Sequence, residues 1–257
     1  SLKDFDDDDH LTIITEYMPS GSLKNIFTME LKKKTSSNWN STKKFISFLS
    51  IALSMKYLHD NRVVLGELNP SNIFLDSNFY PKINPIQISN FFESENDIKA
   101  EKYIYIAPEI NDPSDYTDSS DVYSFAFIAY TFFTGKFPSL KKFKNLNEWK
   151  IKVQKNERPN MNSIEDEQII DLLEKCWGKD PSRRYSFEYI VNQILRGKYQ
   201  KVFKSIDKYE VTKYINKFIK SDDSLKIHIF PREFNFHFSE EDFGFKLNIS
   251  GYQTVGD

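Results

Sequence analysis

The sequence predicts an α+β fold, mainly helical, on three observations. Phe45, Leu49, Ala52, Met55 and Leu58 recur at helical spacing and make one apolar face. Residues 121–133, DVYSFAFIAYTFF, are apolar on nearly every side, which suits a helix enclosed by the rest of a core. Ile73-Phe74-Leu75 and Pro81-Lys82-Ile83 flank a polar run from Asp76 to Tyr80, and read as strand, turn, strand. At 257 residues the chain is long enough for one large core plus a small appendage.

The elements follow in order. Residues 4–9 are almost all acidic and read as a solvated loop or terminus. Leu11 to Tyr17, LTIITEY, is β-branched, apolar and of strand length. Pro19, Ser20, Gly21 and Ser22 break it, and Ser22 is placed to cap a helix from Leu23. After a polar loop over 32–40, Ser41 or Thr42 is expected to cap the helix carrying Phe45 to Leu58. Val63 and Val64 then lead into a tight polar loop of Gly66, Glu67, Asn69, Pro70, Ser71 and Asn72. Gly135 and Pro138 form the stop signal for helix 121–133. A helix and loop are expected over 145–159, a helical face at Ile169, Leu172, Leu173 and Cys176-Trp177, and a last helix over 187–196. Tyr199, Val202, Phe203 and Ile206, then Val211, Tyr214, Ile215, Phe218 and Ile219, suggest two more amphipathic helices. From Leu225 the period changes to two, and Phe234, Phe236 and Phe238 alternate with polar neighbours as in a half-buried strand.

Composition excludes several classes. A net charge of −2 gives no global field to recruit nucleic acid. The single Cys176 rules out an internal disulfide framework and fits a reducing, cytoplasmic setting. Four scattered His offer no zinc spacing, and the apolar run 125–133 is too short to cross a bilayer. No secretory signal is visible, so the sequons at Asn40 and Asn248 read as chance. The chain begins at Ser1 without Met, which suits a piece of a longer protein.

A family resemblance enters with the stretch 57–88. Tyr57-Leu58-His59, Leu68, Pro70, Asn72-Ile73, Leu75-Asp76 and Pro81-Lys82-Ile83 resemble the framework around the catalytic and metal loops of eukaryotic protein kinases. Ala107-Pro108-Glu109 matches the kinase Ala-Pro-Glu motif. Cys176-Trp177, Asp180-Pro181 and Arg184 resemble the tyrosine kinase-like group. The resemblance covers about residues 11–196. It implies a remnant of small-lobe strand and hinge at 1–18, a kinase-like large lobe at 19–196, and an appendage of two helices and short strands at 197–257. Glu16-Tyr17-Met18 would be the hinge that meets an adenine, and 89–104 the activation segment. Asp121 would brace the catalytic loop, and Arg184 would form a buried ion pair with Glu109.

The groups that carry kinase chemistry are replaced within that framework. Leu65-Gly66-Glu67 stands where kinases place His-Arg-Asp, Asn69 where they place Lys, and Pro85-Ile86-Gln87 where they place Asp-Phe-Gly. Asn72 is the one surviving metal-ligand type. Phosphoryl transfer needs positioning and charge neutralisation. Pro85 has no carboxylate for magnesium, Asn69 carries no charge, and no Gly-rich loop or strand-three Lys precedes residue 11. Gly66 also removes the Arg that grips a phosphorylated activation segment. Glu67 is either a displaced base or a capping carboxylate, and Asn72 either a ligand or a tie for the loop.

Three readings compete. The first is a catalytically inactive pseudokinase lobe acting as scaffold or regulator, with no cofactor and with protein partners, kinases or other signalling proteins among them. The second is an active Ser/Thr kinase using ATP and magnesium, whose small lobe lies upstream. The third is an unrelated helical scaffold, against which the ordered set Glu109, Asp121 and Arg184 speaks.

Overall fold

Polar caps open each long helix, and apolar faces bring the helices together. A computed structural model describes residues 16–84, 103–139, 143 and 145–220, without the side chains of 217–220. Helix α1 (Leu23–Leu31) starts at Ser22, whose hydroxyl accepts the Asn25 N–H at 3.3 Å. Helix α2 (Ser41–Asp60) starts at Asn40 instead of the expected Ser41 or Thr42. The extended Asn40 backbone lets its carboxamide oxygen accept the Lys43 N–H at 3.0 Å, so Ser41 is already helical. The Thr42 hydroxyl accepts the Asp207 N–H at 2.8 Å.

Strands β1 (Ile73–Leu75) and β2 (Pro81–Ile83) pair antiparallel, with Phe74 opposite Lys82. The Asp76 carboxylate shapes the turn by accepting the N–H groups of Asn78 and Tyr80. Pro81 is tolerated because it is the first residue of its strand. The expected strand over 11–17 does not include Glu16 or Tyr17, and its residues 11–15 lie outside the described part. What lines β1 instead is the Pro-Ser-Gly-Ser break. The Ser20 N–H donates to the Leu75 carbonyl, the Leu75 N–H donates to the Gly21 carbonyl, and Ser22 bridges Phe74.

Helix α3 (Asp118–Thr134) is the centre of the core, with every residue from Ser120 to Phe132 buried. It begins ahead of the expected Asp121 because Thr117 and Ser120 satisfy each other's backbone in a capping box. It ends at Gly135, whose φ of 66° closes the last turn without a side-chain clash. Helices α4 (Leu146–Gln154), α5 (Glu167–Cys176) and α6 (Phe187–Leu195) surround it. The Phe48 ring of α2 stacks on Phe125 at 5.5 Å, and Phe127 meets Trp149 and Trp177.

Only one of the two expected tail helices forms. Residues 200–202 make a single 3-10 turn, because Gly197, Tyr199 and Ser205 take left-handed backbone angles that break a helix on both sides. Helix α7 (Lys208–Lys220) does form. The core runs through this segment without a boundary at 196: Phe203 lies 5.5 Å from Phe45 and 5.9 Å from Phe48, ring to ring. The acidic run 4–9, the stretch 89–102 and the period-two stretch after 220 lie outside the described residues. No helix among the described residues is long and apolar enough to cross a membrane.

Candidate functional site

The loop 65–72 is held from below by one carboxylate. Asp121, in the first turns of α3 and buried, accepts the Leu65 N–H at 2.9 Å through Oδ2 and the Gly66 N–H at 2.9 Å through Oδ1. Its Oδ2 also lies 3.0 Å from Nε2 of His59. A carboxylate only accepts, so His59 carries its proton on Nε2. These donors offset the cost of burying the charge. The His59 ring sits edge-on to Phe187 at 5.1 Å, which fixes its direction.

Gly66 has φ of 78°, and a Cβ there would meet the Tyr116 ring at 3.3 Å. Tyr116 therefore roofs the loop backbone. Its phenol is pushed up to about 12, first by burial and then by the negative charges of Glu67 and Asp121.

Beyond Gly66 the loop ties to itself through neutral amides. The side-chain amides of Asn69 and Asn72 both donate to the Glu67 carbonyl, at 3.1 and 3.0 Å. The Asn69 carboxamide oxygen accepts the Ser71 N–H at 2.9 Å, and the Asn72 carbonyl accepts the Asn84 N–H at 2.9 Å. The last bond couples the loop to the end of β2. Glu67 is half-buried at the loop's edge.

Of the hinge-like residues, Glu16 reaches β2. Glu16 pairs with Lys82, Tyr17 is 84% exposed, and the Met18 carbonyl accepts the Gly21 N–H. Pro85 lies outside the described residues. Arg184 grips Glu109 through two bonds of 2.5 and 2.9 Å. Its remaining donors reach the carbonyls of Gly178 and Ser119, and its guanidinium sits 5.0 Å from the Tyr123 ring centroid. This pair fastens the Ala-Pro-Glu segment to the base of α3.

A family model for the protein kinase domain matches residues 2–195. The chain belongs to the protein kinase family. Curated relatives include serine/threonine-protein kinase STY17 of Arabidopsis thaliana, 29% identical over 73% of this chain and 33% of that protein. Dual specificity protein kinase shkB of Dictyostelium discoideum is 28% identical over 71% of this chain and 28% of that protein. Seven transmembrane domain-containing tyrosine-protein kinase 1, also of Dictyostelium discoideum, is 32% identical over 70% of this chain and 26% of that protein. The chain thus spans a third or less of the length of these relatives.

Kinases carry His-Arg-Asp-Leu and, after three residues, Asn in the catalytic loop. Here Leu68 and Asn72 hold their places, and the loop they bound is closed by Asn69 and Asn72 around the Glu67 carbonyl. A magnesium–nucleotide complex needs carboxylate and cationic donors. The residues present do not fit it: Pro85 has no side-chain oxygen and Asn69 no charge, which leaves the Asn72 side-chain oxygen as the one ligand type among these positions. Among the described residues no three His, Cys, Asp or Glu side chains converge to hold a metal.

Two residues with clear positional work were not singled out by sequence reasoning for that work. His59 entered only as framework, and Tyr116 not at all. Tyr116 stands just before the Thr117 cap, a position where packing residues gather, and that signal was available.

Proposed function

We propose that this chain is the large lobe of a tyrosine kinase-like pseudokinase, which no longer transfers phosphoryl groups and serves signalling by holding protein partners. One observation carries the reading. Asn69 stands where kinases place Lys and is closed onto the loop, its amide N–H donating to the Glu67 carbonyl and its oxygen accepting the Ser71 N–H, in a loop that Asp121 and Tyr116 hold in place. The scaffold around the site is kept, while a cation at Asn69 and a metal-binding carboxylate at Pro85 are missing. Each lost transition-state donor is worth about 10²-fold or more. These two losses, with a base at Glu67 one methylene longer than Asp, leave no measurable transfer. A remnant of the small lobe at 1–18 and a cytoplasmic setting belong to the same proposal, as does the absence of a bound cofactor.

The competing reading is an active Ser/Thr kinase. Glu67 favours it, as a half-buried carboxylate at the position of the catalytic Asp, and so do the printed names of the relatives. A base misplaced by about 1 Å costs roughly a hundredfold. Incubation with labelled ATP, magnesium and a generic protein substrate separates the two. Incorporation equal to that of the Glu67→Ala variant supports the pseudokinase. Incorporation well above it establishes the kinase. Melting with and without Mg-ATP adds a second readout: a site saturated at about 100 times Kd gains roughly 2.7 kcal/mol, and no gain is expected.

A further inference from the structure

The loop between α1 and α2 carries three adjacent cations, Lys32, Lys33 and Lys34, all exposed. Among the described residues none of them pairs with a carboxylate, whereas Lys43 and Lys44 at the start of α2 are taken by Glu210 and Glu30. Three hydroxyls follow directly, Thr35, Ser36 and Ser37, and both serines are exposed. On one side, the Lys33 and Lys34 N–H groups close the end of α1 on the carbonyls of Glu30 and Met29. On the other, the Trp39 N–H donates to the Ser36 carbonyl at 3.0 Å and the Asn38 N–H to the Ser36 hydroxyl at 3.2 Å. Trp39 anchors this turn: it is buried, its indole N–H donates to Glu30 at 3.0 Å, and its ring meets Phe79 at 5.9 Å. Between the anchors, the N–H groups of Thr35, Ser36 and Ser37 donate to no backbone carbonyl among the described residues. Such a segment can be drawn into an extended groove without breaking a helix or a strand.

Other serines stand behind basic pairs, and the structure sets them apart. Ser186 follows Arg183-Arg184-Tyr185, the stronger pattern by sequence alone. But Arg184 is buried and spent on Glu109, and Ser186 caps α6 directly before the buried Phe187, so this segment cannot be drawn out. Ser47 follows Lys43 and Lys44 but is buried within α2.

We infer that Ser36 is a phosphate-acceptor site for a separate serine kinase, a Mg-ATP-dependent enzyme with an acidic substrate groove. In that reaction the Ser36 oxygen bonds to the terminal phosphorus of ATP, and the bond from that phosphorus to ADP breaks. The hydroxyl proton passes to the base of the modifying kinase. Lys34 and Lys33 stand two and three residues before Ser36, about 7 and 10 Å along an extended chain, and give an acidic groove its counter-charges. The same cations then face the product, whose phosphate carries about −1.5 to −2 at pH 7. The Asn38 N–H already points at the Ser36 hydroxyl, so after transfer it meets a charged acceptor, and a charge-assisted bond is roughly twice as strong as a neutral one. Phosphorylation therefore tightens the turn that seats Trp39. The inference concerns the chain as an acceptor and holds whether or not it transfers phosphoryl groups itself.

The whole chain is incubated with ATP labelled at its terminal phosphate, magnesium and a basophilic serine kinase. Incorporation is counted over a blank without that kinase, and tandem mass spectrometry reads the site. Phosphate on Ser36 is expected, and Ser36→Ala should remove most of the incorporation. Lys33→Glu with Lys34→Glu should slow it about tenfold or more, because like charges set against each other cost at least that. Ser37→Ala should leave the rate as it was. All these positions are exposed, so the fold is kept. The phosphorylated chain should also exchange the Asn38 and Trp39 amide hydrogens several-fold more slowly. Phosphate elsewhere in place of Ser36, Ser37 and Ser186 included, or a rate indifferent to the lysine reversal, would overturn the inference. Unchanged or faster exchange at Asn38 and Trp39 would refute the tightening of the turn.

Discussion

The pair of Glu109 and Arg184 offers a sharp energetic test. The Arg184 side chain is wholly enclosed, while that of Glu109 keeps 26% of its surface in water. Glu109→Ala leaves a buried guanidinium with no counter-charge, held only by the Gly178 and Ser119 carbonyls and the Tyr123 ring face. Breaking a buried pair this way costs about 3–5 kcal/mol. Arg184→Met removes the stranded charge, lets Glu109 hydrate, and fills part of the space, so its cost should come mainly from the two orphaned carbonyls, about 1–3 kcal/mol each. The double variant should then cost about as much as Arg184→Met alone, because no cation remains to be stranded. The two single losses should overshoot the double by about the Glu109→Ala cost, about 3–5 kcal/mol. Urea unfolding of the four proteins measures this, with slopes compared to check that the transition stays two-state. Losses that add to within about 0.5 kcal/mol would show that the pair has no coupling of the kind described.

Other outcomes follow from the same geometry. Gly66→Ala places a Cβ at a left-handed backbone and against the Tyr116 ring, and should cost about 1–2 kcal/mol, partly recovered in a Tyr116→Ala background; an unchanged urea midpoint would refute it. Lys43 lies over the Tyr80 ring at 4.2 Å and pairs with Glu210. Lys43→Met should therefore loosen α7, seen as faster hydrogen exchange over 208–216 while α3 stays protected. Tyr116 and Tyr214 have phenols pushed up to about 12, in both cases chiefly by burial. In the unfolded chain they ionise near 10. The unfolded state therefore sheds protons first, and stability that is intact below about pH 10 should fall as the pH rises toward 12. Urea midpoints at pH 9 and pH 11, with phenolate absorbance at 295 nm, check the sign.

Where one pattern repeats over many residues, the fold was readable in advance. The apolar face from Phe45 to Leu58 and the enclosed run 121–133 lie on α2 and α3, and β1 and β2 flank the expected turn. Boundaries were harder. Asn40, Ser41 and Thr42 are all good caps, and only the local backbone decides that Asn40 takes the role. The polar start of α3, Asp118-Ser119-Ser120, hides its helical state because pattern reading looks for apolar residues. In the segment 199–206 four apolar residues matched a helical period by chance of spacing, and the backbone angles at Tyr199 and Ser205 override it.

The site divides in the same way. That Glu109 and Arg184 should meet across 75 positions came from family resemblance, since no local period links them. That Gly66, Glu67, Asn69 and Pro85 stand where kinases carry other residues was legible through the resemblance. How the loop is held was not. The contacts of His59 with Asp121 and of Tyr116 with Gly66 join distant positions, and a single sequence carries no mark of that pairing.

The family match ends at residue 195, but the aromatic packing does not. Tyr199, Phe203, Val211 and Ile215 are all buried, Tyr199 against the Phe48 ring and Phe203 against the Phe133 ring. Excising the lobe at the matched limit would strip that cover and leave a greasy trench along α2. Recombinant pieces cut there should clump or be degraded, whatever their catalytic status. A well-behaved fragment must keep the chain through α7.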